Sequence, residues 1–87
     1  MQEIDIANVR YQLGRVAHEF DSQTFVAEVE EHYGGELYAI TFQRGYHTYV
    51  LEIDGEQLTH WFSAQEHSKD MNDMVEAVKL AVEELVT

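Results

Sequence analysis

In the stretch Glu28–Ile40, EVEEHYGGELYAI, the glutamates 28, 30 and 31 and His32 stand in front of two glycines, and the chain then turns apolar within two residues. His32 with Glu28 or Glu30 could hold a divalent metal, because residues two apart on a strand stand side by side and imidazole with carboxylate is a serviceable donor set. The rest of the pattern is missing. No His-x-x-x-His or His-Glu-x-x-His occurs, and the five histidines are scattered along the chain. A histidine two residues from a glutamate is what a glutamate-rich strand supplies by chance. No metal site and no cofactor are expected.

His60 is the second candidate for chemistry, placed by the pattern beside Tyr49 with His47 nearby. A general base needs a cleft and a matched partner, and a core histidine satisfied by a tyrosine hydroxyl is the simpler reading. No serine sits in a nucleophile-elbow context, no glycine-rich loop precedes a helix, and there are no cysteines. The chain is therefore expected to have no catalytic residues.

The acids near the C-terminus form a longer pattern. On a helical wheel Asp70, Asp73, Glu76, Glu83 and Glu84 fall opposite the apolar stripe, interrupted by Lys79 and Leu80. At the helical rise they extend roughly 20 Å along the axis. Such a row could imitate a phosphate backbone, or could be the solvated side of an amphipathic helix. The whole chain is acidic, with 17 Asp and Glu against 5 Lys and Arg and a net charge of −12. That charge opposes direct binding to nucleic acid or to an anionic membrane. It suits a basic protein partner, or serves solubility alone. Residues 1–20 differ: Glu3, Asp5 and Glu19 face Arg10 and Arg15, for a net −1, and Tyr11 and His18 complete the polar side.

These side chains need a scaffold, and 87 residues with 45% hydrophobic content support one domain, 1–87, with a single core. No apolar run approaches the roughly 18 residues of a membrane span. The N-terminal MQEIDIANVR lacks the basic start and apolar stretch of a signal peptide, so a cytoplasmic protein is expected. With no proline, turns fall to glycine: Gly34-Gly35, Arg44-Gly45 and Asp54-Gly55 recur at ten-residue intervals, and each can close a two-residue hairpin loop. The segments between them are rich in β-branched and aromatic residues. The first, residues 24–33, also fits a helix stripe through Phe25, Val26, Val29 and Tyr33. Flanking the meander, Ile6, Val9, Leu13, Val16 and Phe20, and then Met71, Met74, Val75, Val78, Val82 and Leu85, follow helical spacing, with Asp5 as an N-cap. The expected fold is α+β, ordered α-β-β-β-β-α, a four-stranded antiparallel meander with both helices on one face.

Two-residue loops would set Ala27 opposite Phe42, Val29 opposite Ile40, Ile40 opposite Tyr49, Tyr38 opposite Leu51, and Tyr49 opposite His60. One face then holds Phe25, Ala27, Val29, Tyr38, Ile40, Phe42, Tyr49, Leu51, Ile53, Leu58 and Phe62 and lies under the helices. The other centres on Leu37, Ala39, Val50 and Trp61, with Glu28, Glu30 and Glu52 around them. An apolar centre with a polar rim marks a protein–protein surface.

Two functions follow. The first is a small acidic inhibitor that binds a basic nucleic-acid-binding protein in place of nucleic acid. Its size, charge and lack of catalytic motifs are shared with nucleic-acid mimics of the anti-restriction, anti-CRISPR or nuclease-immunity type. It would use Glu28, Glu30 and Glu52 on the sheet and Asp73, Glu76, Glu83 and Glu84 on the last helix. The second is a homodimeric, non-catalytic adaptor that pairs through Leu37, Ala39, Val50 and Trp61.

Overall fold

The computed structural model of the protein describes residues 4–63 and 68–87. The chain folds as α1 (Ile6–Phe20), β1 (Thr24–His32), β2 (Leu37–Arg44), β3 (His47–Asp54), α2 (Gly55–Ser63) and α3 (Ser68–Val86). It is an α+β protein in which three helices pack on one antiparallel sheet of order β1-β2-β3.

Both long helices form where the apolar spacing places them. In α1 the Asp5 carboxylate accepts a hydrogen bond from the Asn8 N–H, satisfying one of the donors that a helix start leaves unpaired. Val9, Leu13, Val16 and Ala17 are its buried stripe. In α3 the buried stripe is Met74, Val78, Ala81, Val82 and Leu85. The side chains of Asp70 and Met71 lie outside the described residues.

At the end of α1, Asp21 turns extended and its carboxylate joins three elements. It accepts the Thr24 hydroxyl from the start of β1 and, at 2.8 Å, the Arg44 Nε from the end of β2. The Thr24 hydroxyl, and then Arg44, hold the Asp21 carboxyl below its usual value of 3.8, against an opposing effect of partial burial. A depressed carboxylate favours the fold above its unfolded value and loses that contribution as pH falls through the folded one. Asp21→Asn should therefore lower the urea midpoint at pH 7, and the gap between variant and wild type should close as pH drops below about 4. Parallel midpoint-versus-pH curves would show that the three-element junction contributes nothing.

The fourth strand expected at residues 56–63 is a helix. Leu58, Trp61 and Phe62 carry both a period of two, through Leu58, His60 and Phe62, and a helical i, i+3, i+4 stripe, and the helical stripe wins. Asp54, read as half of a hairpin turn, is the helix cap: its Oδ1 accepts the Glu56 N–H at 2.7 Å. The Thr59 hydroxyl bonds back to the Gly55 carbonyl at 2.8 Å. Leu58 and Trp61 are buried in the core. His60, expected on the core face beside Tyr49, is exposed on α2.

The register also departs from two-residue loops in two places. Between β2 and β3 the loop is Gly45-Tyr46, not Arg44-Gly45, since Arg44 pairs with His47. Gly45 at the first loop position has φ 63°, the conformation in which a type II′ hairpin places glycine. The pairing moves by two residues, setting Ile40 opposite Leu51 and Tyr38 opposite Ile53. A shift of two leaves each side chain on its face. Between β1 and β2, Val29 does pair with Ile40, but the loop is four residues long, and Tyr33, Gly34 and Gly35 all have positive φ. A bulge at Ala27 then pairs Val26, not Ala27, with Phe42. One extra residue reverses alternation before it, so Val26 enters the core and Phe25 points out, 48% exposed.

Candidate functional site

Beyond the Ala27 bulge the sheet face turned away from the helices carries three cross-strand rows, with Phe25, Gln43 and Thr48 in a further row before it. Glu28, Thr41 and Val50 form one, Glu30, Ala39 and Glu52 the next, and His32, Leu37 and Asp54 the third. Glu28, Glu30, Glu52 and Asp54 are all exposed. Along a strand, alternate residues stand about 7 Å apart, and outer strands of a three-stranded sheet are about 10 Å apart. Glu30 and Glu52 therefore stand about 10 Å apart on either side of the buried Ala39, with Glu28 one row above on β1 and Asp54 one row below on β3, a skewed parallelogram of carboxylates. Among the described residues no Lys or Arg shares this face. Arg44 points to the other side of β2, where it meets Asp21.

Strand alternation thus brings Glu28, Glu30, Leu37, Ala39, Val50 and Glu52 together as expected. Trp61 is not among them. It lies in the core at 5% exposure, because residues 55–63 coil into α2 and cover the opposite side of the sheet. The open face loses Trp61 and keeps Val50, 49% exposed, the half-buried Leu37, and Phe25, which the bulge turns outward at 48% exposure. Self-association through this face would set carboxylates against carboxylates, with Phe25 and Val50 as its exposed apolar side chains.

The acids of α3 are a separate surface. Asp73, Glu76, Glu83 and Glu84 are exposed, as are Lys79 and Leu80 between them. With α3 packed on the helix-covered side of the sheet, these acids and those of the open face look in opposite directions across a molecule whose thinnest extent is 17 Å. One flat partner surface cannot engage both.

At the rim of the sheet, Glu31 accepts the Tyr38 hydroxyl at 2.9 Å. Burial first, and then the Glu31 carboxylate, raise the Tyr38 phenol above its ordinary value of 10. The pair stands beside Gly35 at the β1–β2 loop. Among the described residues no group of three His, Asp or Glu side chains is disposed to hold a metal ion, and no helix is long and apolar enough to cross a membrane.

The sequence reading left one surface out. An open groove of about 400 Å3 runs between α1 and the start of β1, lined by Arg10, Tyr11, Gly14, Arg15, His18 and Phe25 with Thr24 and Val26. The available signal was Gly14, a glycine in the middle of a helix. Comparison with protein-family models, with curated proteins and with solved structures found no match to this chain.

Proposed function

We propose that the protein is a non-catalytic acidic inhibitor that binds a basic nucleic-acid-binding protein through the open face of its sheet. The observation that supports this most directly is the group of Glu28, Glu30, Glu52 and Asp54, exposed on one face that carries no Lys or Arg among the described residues. A solvated face serving solubility alone would gain from interspersed charges of both signs, because like charges gathered on one face repel. Here Glu30 and Glu52 repel each other across Ala39. At about 10 Å in water two unit charges interact by about 0.4 kcal/mol. Retaining them on a small domain is the pattern of a surface kept for binding at some expense in stability.

The spacing of the carboxylates on this face suits a cationic cleft that ordinarily holds phosphates. The α3 row is the lesser candidate, since Lys79 and the exposed Leu80 divide it. Direct contact with nucleic acid is disfavoured by the net charge of −12.

The test compares three full-length proteins as baits in lysate: wild type, Glu30→Lys/Glu52→Lys, and Asp73→Lys/Glu84→Lys. Wild type is expected to retain a basic protein that duplex DNA displaces, with binding that weakens as the Debye length shrinks from about 10 Å toward 3 Å. The sheet variant should lose that protein while melting within about 0.5 kcal/mol of wild type, or slightly above it, because exposed charge changes move stability little. Retention by the sheet variant and loss by the helix variant would move the interface to α3. Retention by both, independent of salt, would dispose of the inhibitor reading.

A further inference from the structure

We infer that the groove between α1 and β1 is a second docking site, of opposite polarity to the open face, for an extended acidic peptide segment of a partner protein. Carboxylates of that segment would meet Arg10, Arg15 and His18, and an apolar side chain would rest on Gly14 and Val26 between the rings of Tyr11 and Phe25.

Charge is the first reason. The chain has only five Lys and Arg, yet two of them and a histidine line this groove, and among the described residues no Asp or Glu does. These cations are also lightly committed. Arg10 spends its Nε on the Val26 carbonyl at 3.3 Å, and its terminal nitrogens make no hydrogen bond among the described residues. Arg15 reaches Gln12 at 3.4 Å and Glu19 at 4.0 Å, both marginal contacts on exposed side chains. Arg44, by contrast, is held at 2.8 Å by Asp21. Guanidinium groups with free donors are suited to planar, bidentate carboxylate recognition.

The second reason is Gly14. Glycine is the least favourable residue after proline inside a helix, so its place in the middle of α1 calls for a cause. Packing does not supply one: a Cβ there would stand 3.9 Å from Val26 Cγ2, an ordinary contact. What the missing side chain does is leave the groove floor open. On either side the Tyr11 ring is 66% exposed and the Phe25 ring is turned outward by the bulge at Ala27. A small molecule would need most of its surface buried, and this groove is open along its length. An extended chain, contacted on one side, fits that shape.

The net charge of −12 does not forbid an acidic ligand at this position. Screening at physiological ionic strength acts over about 8 Å, so cations in contact with the ligand outweigh acids on the far surfaces. The site and its ligand are independent of the basic-partner reading of the open face.

The experiment titrates the 15N-labelled full chain with a capped peptide of alternating Glu and Leu, and with its Lys–Leu counterpart. The Glu–Leu peptide should shift amides of residues 10–18 and 24–26 and leave those of 50–54 in place. Arg10→Ser/Arg15→Ser should weaken its binding by about tenfold or more. Arg15→Ser alone, which removes no strong internal contact, should weaken it measurably even if the double variant folds poorly. Gly14→Leu, filling the floor, should weaken it with both arginines intact. Shifts that map elsewhere, unchanged affinity in Arg15→Ser and Gly14→Leu, occupation of the groove by the Lys–Leu peptide, or no saturable shift at about 1 mM would each overturn the assignment.

Discussion

Replacing Trp61 with alanine should cost about 3–5 kcal/mol of stability, the range for deleting a buried large aromatic side chain. Trp61 is 5% exposed within the cluster that joins Ile40, Phe42 and Ile53 of the sheet to Leu58, Val78 and Val82 of the helices. The cost should fall on α2 in particular. At nine residues, α2 is too short to persist without packing, since isolated helices below about 12 residues are marginal in water. Leu58 and Trp61 are its two buried side chains, and removing the larger leaves the second helical layer poorly fixed. In thermal unfolding the midpoint should drop by about 12 °C or more, given roughly 4–8 °C per kcal/mol for a domain of this size. Trp61→Phe should be far milder, at about 1–2 kcal/mol, because the indole N–H is buried with no hydrogen-bond partner among the described residues. Removing a donor that is already unsatisfied forfeits packing but no bond. An alanine variant melting with wild type would place Trp61 outside the core and return it to the open face.

Gly55→Ala should be the second severe substitution, at about 3 kcal/mol, the upper part of the range for overpacking. A Cβ at Gly55 would fall 1.9 Å from the Gly35 carbonyl oxygen and 3.4 Å from Tyr38 Cε1. The near atom is backbone, so no side-chain rotation can relieve the clash. The contact is fixed from the other direction too, since the Gly55 N–H donates to the Glu36 carbonyl at 2.9 Å. The β1–β2 loop and the start of α2 are thereby packed main chain to main chain. Gly14→Ala is the informative contrast: the added methyl would meet only Val26 Cγ2 at ordinary distance, and the helix would gain about 0.5–1 kcal/mol. Chemical denaturation of the two variants side by side measures both signs. Equal, small effects would show that the loop gives way and that Gly55 is not a packing position.

Asp54-Gly55 shows why part of this architecture was hidden in the sequence. The same dipeptide opens a hairpin in one setting and caps a helix in another. The Asp54–Gln57 spacing and the Leu58, Trp61, Phe62 stripe do fit a helix start, but a ten-residue glycine rhythm pointed to another strand. The Ala27 bulge left no mark of its own: Phe25, Val26 and Ala27 are all acceptable on either face. The open-face carboxylates were legible because β1 alternates faithfully beyond the bulge, and Glu28, Glu30 and Glu52 need only the period of two. The groove beside α1 was not, since it requires knowing that β1 lies against the Arg10, Gly14 side of the helix.

By itself the sequence determined what local periodicity and charge can determine. The stripes of Val9, Leu13 and Val16 and of Met74, Val78 and Val82 can bury themselves in one way only, as helices, and the acidity follows from residue counts. Three strands and the outward placement of Glu28, Glu30 and Glu52 come from alternation and glycine. Tertiary structure decided the state of residues 55–63, where two periods compete over nine residues and local preference is nearly balanced. The sheet had one uncovered apolar side left to close, and coiling into α2 put Leu58 and Trp61 onto it together, which a fourth strand could not do because Trp61 would have faced solvent. That one choice moved the chain's only tryptophan from a surface anchor to the core and left the open face to its carboxylates.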